Sequence, residues 1–293
     1  MGDLGRAGSR TCPAGRPRHP RLARQTTDEE QIVIEGENDE AIDALYLEGV
    51  RLGEEGNHRG AALTFLAALA LEPEWPELHH ALGVAMEQSG DQQAAERAYR
   101  EALRCDPEHD PSSWNLGILL YESDRASEAI MVWSEQAARD PYNMNLHVRL
   151  ADALVSKGRR EEAFAAYEAA VRLRPGYWYP HNKLGVACLD AGRNADAVEA
   201  FRRACALDPE INDPFVNLGI ACDRVGLYAE AQNAYREAIR RDPGDADAYI
   251  NLGASYEWEG YPDRARAAYE KALILDPDNG KAWENLRDLD AGE

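Results

Sequence analysis

An all-α solenoid of stacked helix-turn-helix units is the fold class this sequence predicts, and three observations carry the prediction. The phrase AYREALRCDP, closing at Pro107, returns as AYEAAVRLRP, AFRRACALDP, AYREAIRRDP and AYEKALILDP, closing at Pro175, Pro209, Pro243 and Pro277. Looser copies close at Pro73 and Pro141, and neighbours in this series of seven prolines stand 34 residues apart with no insertion. Apolar residues in each half of the unit recur at helical spacing, so a unit reads as two amphipathic helices. Such a pair cannot bury its apolar face alone, and stacking supplies the missing core.

The units divide the chain in order. Residues 1–27 carry six arginines against the single acid Asp3, with glycines and prolines between them. That composition predicts a disordered basic tail. Residues 28–41, DEEQIVIEGENDEA, read as an acidic linker with one apolar knot at Ile32, Val33 and Ile34. Seven repeats follow over 42–75, 76–109, 110–143, 144–177, 178–211, 212–245 and 246–279, and residues 280–293 begin an eighth first helix with polar character. A solenoid needs such a solvating cap at its open end.

Each constant position of the repeat has a physical role. The eighth is Gly49, Gly83, Gly117, Ala151, Gly185, Gly219 and Gly253; the twentieth is alanine in all seven repeats. Small residues there let two helices approach, and the twenty-fourth residue, always aromatic from Phe65 to Tyr269, fills the space beside them. Glycine at the fifteenth position suits a left-handed helix end. Proline at the thirty-second stops the second helix. Repeat 110–143 departs furthest, with Asp124 for the glycine, Trp133 for Tyr or Phe, and Gln136 for alanine, and is predicted to be the weakest joint.

This pattern, Leu-Gly in the first helix followed by Ala, aromatic, Ala and Pro, resembles the tetratricopeptide repeat family over residues 42–279. The resemblance implies a right-handed superhelix whose first helices line a concave groove that holds a protein or peptide partner.

Composition narrows the function. With 53 acidic against 32 basic residues the net charge is −21, which opposes affinity for nucleic acid or an anionic membrane surface. No apolar run approaches the roughly 18–20 residues of a membrane span, and no secretory signal is recognisable at the start. Five cysteines without a Cys-x-x-Cys pair fit a reducing cytoplasm. The Ala- and Arg-rich composition points to a bacterial source. Phosphate-loop, His-Glu-x-x-His and Gly-x-Ser-x-Gly motifs are absent, so neither an enzyme nor a cofactor is predicted. His79, His147 and His181 share the fourth position, and Cys188 and Cys222 the eleventh. Equivalent positions in stacked helices lie about 10 Å apart, too far for one metal ion, so no metal site is expected and packing is the predicted role.

The expected site is the concave face. Carrying the family's groove positions onto this chain, the sixth residues are Asn115, Arg149, Lys183, Asn217 and Asn251, with Asn285 in the cap. An amide donates and accepts together and therefore suits a main chain of any sequence; a similar asparagine ladder holds peptide in the repeat domain of O-linked N-acetylglucosamine transferases. Groove positions of the seven repeats carry eleven acids, among them Asp152, Asp213 and Asp247, against three bases. One sign of charge favours a partner of the other, so a basic or polar extended segment is expected. Trp114, Tyr179, Asn182 and Trp258 complete the predicted contact set. No three consecutive repeats supply the Lys and Asn set by which some family members clamp a chaperone C-terminus. An accessory subunit of an enzyme such as a glycosyltransferase, and self-association through the outer faces, are the alternatives.

Overall fold

The computed structural model describes residues 29–291, and among them every regular element is helical. In chain order these are α1 (Glu29–Glu54), α2 (His58–Leu71), α3 (Pro76–Gln88), α4 (Gln92–Cys105), α5 (Asp110–Glu122), α6 (Ala126–Arg139), α7 (Met144–Ser156) and α8 (Arg160–Leu173). They continue as α9 (Trp178–Asp190), α10 (Asn194–Leu207), α11 (Asp213–Arg224), α12 (Tyr228–Arg241), α13 (Ala246–Trp258), α14 (Pro262–Leu275) and α15 (Gly280–Ala291). Odd helices are the first and even helices the second of each repeat. The predicted tail, 1–27, lies outside the described residues. The expected linker does not stand apart: from Glu29 onward it is described as the first turns of α1.

Local chemistry sets the helix ends where the sequence placed them. Every even helix from α2 to α14 stops two residues before its repeat's proline. The turn inside a repeat uses a left-handed residue, as at Gly90 (φ 88°); in repeat 110–143 Asp124 takes that conformation at φ 59°. Asn57, Asp91, Asn143 and Asp245 cap helices by accepting from backbone N–H groups three residues on. Where arginine stands before an even helix, it pairs forward instead, as Arg125 does with Glu128 and Arg159 with Glu162.

The array is held by contacts between sequence neighbours, each helix packing on the next. Direct contact between equivalent helices of adjacent repeats is made by odd helices: α1 with α3, α7 with α9, α9 with α11, α11 with α13 and α13 with α15. Odd helices therefore lie closer together than even ones and line the inner face. Contact of α5 with α3 and α7 falls below that of the other odd pairs.

Rings from the even helices seat against the small residues of the odd ones. A Cβ added at Gly83 would sit 2.4 Å from the Tyr99 ring, and one at Gly117 would sit 2.1 Å from Trp133. Tyr99, Trp133, Phe201, Tyr235 and Tyr269 are among the largest fully buried side chains, and the alanines at the twentieth position are buried with them.

The shared fourth position has a structural role beyond packing. The ring Nε2 atoms of His79, His147 and His181 donate to the carbonyls of Pro73, Pro141 and Pro175 at 2.8, 3.0 and 3.1 Å. Trp283 Nε1 does the same to Pro277 at 2.9 Å. Phe215 occupies the position in α11 and has no donor; Arg241 stacks on its ring at 3.8 Å and donates to Pro209 instead. The His and Trp bonds tie the end of one repeat to the first helix of the next, and the Arg241 bond ties it to the second.

Candidate partner-binding groove

The inner helices bring the sixth-position residues into one row. Asn115 (α5), Arg149 (α7), Lys183 (α9), Asn217 (α11), Asn251 (α13) and Asn285 (α15) are all half-buried, with neighbouring odd helices in direct contact from α7 onward. Asp213 and Asp247 are exposed at the second position of α11 and α13, and Trp258 is 60% exposed at the end of α13.

Several groove groups are already engaged within the chain. The Tyr99 hydroxyl donates to Glu87 at 2.7 Å, Tyr235 to Asp223 at 2.9 Å and Tyr269 to Glu257 at 2.9 Å. In each case a twenty-fourth-position phenol reaches the twelfth-position carboxylate of its own repeat. Repeat 144–177 has Val155 at the twelfth position, and there Tyr167 donates to Asp152 at 2.5 Å. Asp223 is buried and also accepts from Ser255 at 2.7 Å. Burial raises its carboxyl above the usual range, while Ser255 and Tyr235 pull it back. Counting the groove's acids as uniformly free thus overstates what a partner meets. Asp223 in particular does not face solvent.

The sequence-predicted contacts divide accordingly. Asp152 and Lys183 meet each other, with Nζ 3.2 and 3.3 Å from the two carboxylate oxygens. Burial opposes the Lys183 charge, but Asp152 and Tyr179 outweigh it and hold the ammonium above its ordinary range. Asn182 is buried and accepts from Asn217 Nδ2 at 3.2 Å, so it belongs to the wall beneath the row. Asn115 reaches the Tyr99 hydroxyl at 3.4 Å. Trp114 leans on Trp133, ring centroids 6.5 Å apart, and Trp133 on Tyr121 at 6.1 Å. Tyr179 is half-buried between Trp178 and Lys183, and burial raises its phenol. Asn251 makes no hydrogen bond among the described residues, and Arg149 neither a hydrogen bond nor an ion pair.

Sequence reasoning missed the phenol–carboxylate pairs, although their signal is present. Acids stand at the twelfth position in repeats whose ring is Tyr99, Tyr235 or Tyr269, whereas Gly53 and Leu189 accompany Phe65 and Phe201. It also missed a polar knot between the second and third repeats. There the Ser112 hydroxyl lies 2.8 Å from His109 Nδ1 and 3.2 Å from His80 Nδ1, the imidazoles 5.4 Å apart. No group of three or more metal-ligating side chains occurs among the described residues. Cys188, Cys205 and Cys222 lie in the C-terminal core, and burial pushes the thiols of Cys205 and Cys222 up to about 12. Among the described residues no helix is long and apolar enough to cross a membrane.

Comparison with known proteins gives the same architecture. Family profiles described as Tetratricopeptide repeat match residues 76–109, 148–210 and 217–280, together more than half of the chain. No curated protein matches. Among solved structures, the C-terminal part of a TPR repeat-containing protein from Cytophaga hutchinsonii is similar at 19% identity and a TM-score of 0.70, covering 82% of this chain and 99% of its own. A tetratricopeptide repeat protein from Parabacteroides merdae is similar at 15% identity and a TM-score of 0.61, covering 85% of this chain and 99% of its own. YrrB, described as a TPR protein with an unusual peptide-binding site, is similar at 21% identity and a TM-score of 0.57, covering 66% of this chain and 99% of its own. At these identities the likeness is one of fold.

Proposed function

The chain belongs to the tetratricopeptide repeat family, and on that premise we propose that it is a non-enzymatic scaffold holding an extended, basic or polar segment of a protein partner along its inner face. The observation that carries this reading is the row of half-buried sixth-position side chains on consecutive inner helices, flanked by the exposed Asp213 and Asp247. Amides in such a row offer donor and acceptor to a main chain irrespective of its side chains. Acids beside them favour lysine or arginine on the segment and speed its capture at low salt. A peptide-binding site is named for YrrB, a neighbour in fold, and this supports a peptide segment as the kind of partner.

The test is binding of the full chain to an array of immobilised ten-residue peptides of random sequence, compared with the Asn115→Ala, Asn217→Ala, Asn251→Ala triple variant. Selection of basic peptides by the wild type, lost in the triple variant while its helicity persists, is the expected result. Equal selection by both proteins would place binding elsewhere and overturn the proposal.

A further inference from the structure

One outer helix is apolar on the side turned away from the array. Between Arg59 and Glu72, α2 carries no charged side chain, whereas each of the other even helices carries three or more. Leu63 is 69% exposed and Leu66 44%, and Ala67 and Ala70 are exposed beside them. Their spacing sets the four on one face of the helix. Arginine stands in place of Leu66 in α4 and α10, where Arg100 pairs with Glu128 and Arg202 with Glu230 of the next repeat. The leucines of α2 instead leave a continuous apolar stripe in water, the mark of an interaction surface.

The stripe is complementary to itself when turned end for end. A two-fold axis crossing α2 between Leu66 and Ala67 sets Leu66 against the partner's Ala67 and Leu63 against the partner's Ala70, so each large side chain meets a small one. The same operation brings Arg59, exposed at the start of the stripe, to the partner's Glu74, in the turn after the helix. The Glu74 side chain is 76% exposed even with Arg104 of its own chain at 3.8 Å, which leaves room for a second cation. A two-fold contact makes each of these pairs twice, so opposite charges meet at both ends of the helix. Parallel packing would instead set Arg59 on the partner's Arg59 and Glu74 on the partner's Glu74.

We propose that this chain forms an antiparallel two-fold dimer through the outer face of α2, with Leu63 and Leu66 seated on the partner's Ala70 and Ala67 and Arg59 paired with the partner's Glu74. Contact between two 14-residue helices alone falls below the roughly 1,200 Å² at which standard interfaces begin. The dimer is therefore concentration-dependent, with a dissociation constant on the order of 10 µM. Even helices lie outside the inner row, so both grooves stay open in the dimer. A partner with two binding segments engages both and gains by effective concentration. Dimer formation itself needs none of the groove residues.

Sedimentation equilibrium of the full chain from about 1 to 200 µM tests the dimer. Wild type is expected to pass from monomer to dimer over that range. Leu63→Glu with Leu66→Glu, checked for helicity and melting temperature, is expected to associate at least about tenfold more weakly. Arg59→Glu and Glu74→Arg, each alone, set like charges together at both ends of the contact and weaken it about threefold to tenfold. An equimolar mixture of these two variants restores both ion pairs, and with them the wild-type association. A wild type that stays monomeric, or a leucine variant that dimerises as well as wild type, overturns the proposal. So do charge variants as tight as wild type, or a mixture no tighter than its components, because either result excludes the antiparallel pairing.

Discussion

The hydroxyl of Tyr235 in α12 donates to the Asp223 carboxylate in α11 across 2.9 Å, closing the space between the two helices of one repeat. Asp223 is buried and has Ser255, in the next repeat, as its other partner. One acid thus joins both helices of its own repeat to the first helix of its neighbour. Removing the phenol in Tyr235→Phe leaves a buried carboxylate short of a donor and is expected to cost about 1–2 kcal/mol. Replacing the acid as well, with Asp223→Leu, reproduces the Leu189 and Phe201 pairing of repeat 178–211 and recovers part of the loss. Urea unfolding of the two single variants and the double variant measures the coupling.

Repeat 110–143 is expected to open first. It alone places a residue other than glycine, Asp124, in the left-handed conformation among the described residues. Three buried polar atoms without a hydrogen-bond partner, on Asp110, Trp133 and Gln136, also fall within it. Hydrogen exchange in α5 and α6 should outpace that in α7 to α14, and Asp124→Gly should stabilise the chain by roughly 0.5–1 kcal/mol. Uniform protection through residues 110–143 would count against this.

Stability is expected to fall as the pH drops from about 6.5 toward 4, before most carboxylates titrate. Burial, and then the neighbouring His109, lower the His80 value to about 4, and burial lowers His109 as well. The unfolded chain takes up these protons first, so the stability present above the unfolded value is lost as pH falls through the window. Glu96, Glu128 and Glu230, held low by bonds to Arg125 and Arg202, contribute their loss only at lower pH. His80→Asn should flatten the dependence of melting temperature between pH 6.5 and 4.5, removing on the order of 2 kcal/mol of pH-linked stability.

Gly219→Ala sets a new methyl 2.4 Å from the Tyr235 ring and should cost about 1–3 kcal/mol. Repeat 144–177 already carries Ala151 at the equivalent position, and its Tyr167 bonds Asp152 rather than a twelfth-position acid. A melting temperature unchanged by Gly219→Ala would show that the ring moves aside without cost.

The architecture was legible in the residues because a stacked repeat repeats its constraints. Proline, glycine, alanine and an aromatic ring recur at fixed intervals, and each recurrence limits backbone or packing in the same way. Helices end two residues before Pro73 and Pro107 as the spacing predicts, and Trp133 and Gln136 mark the irregular repeat in sequence and structure alike. A periodic pattern contains no comparable information about which polar groups find each other. Asp152 and Lys183 lie in different repeats, and Asn182 turns out to accept from Asn217. Those pairings depend on side-chain reach between neighbouring helices, where about an ångström separates a hydrogen bond from none. The sequence by itself determined the solenoid, its register and the row of sixth-position residues. Only the tertiary structure decided which acids are satisfied within the chain and that His79, His147 and His181 hold proline carbonyls.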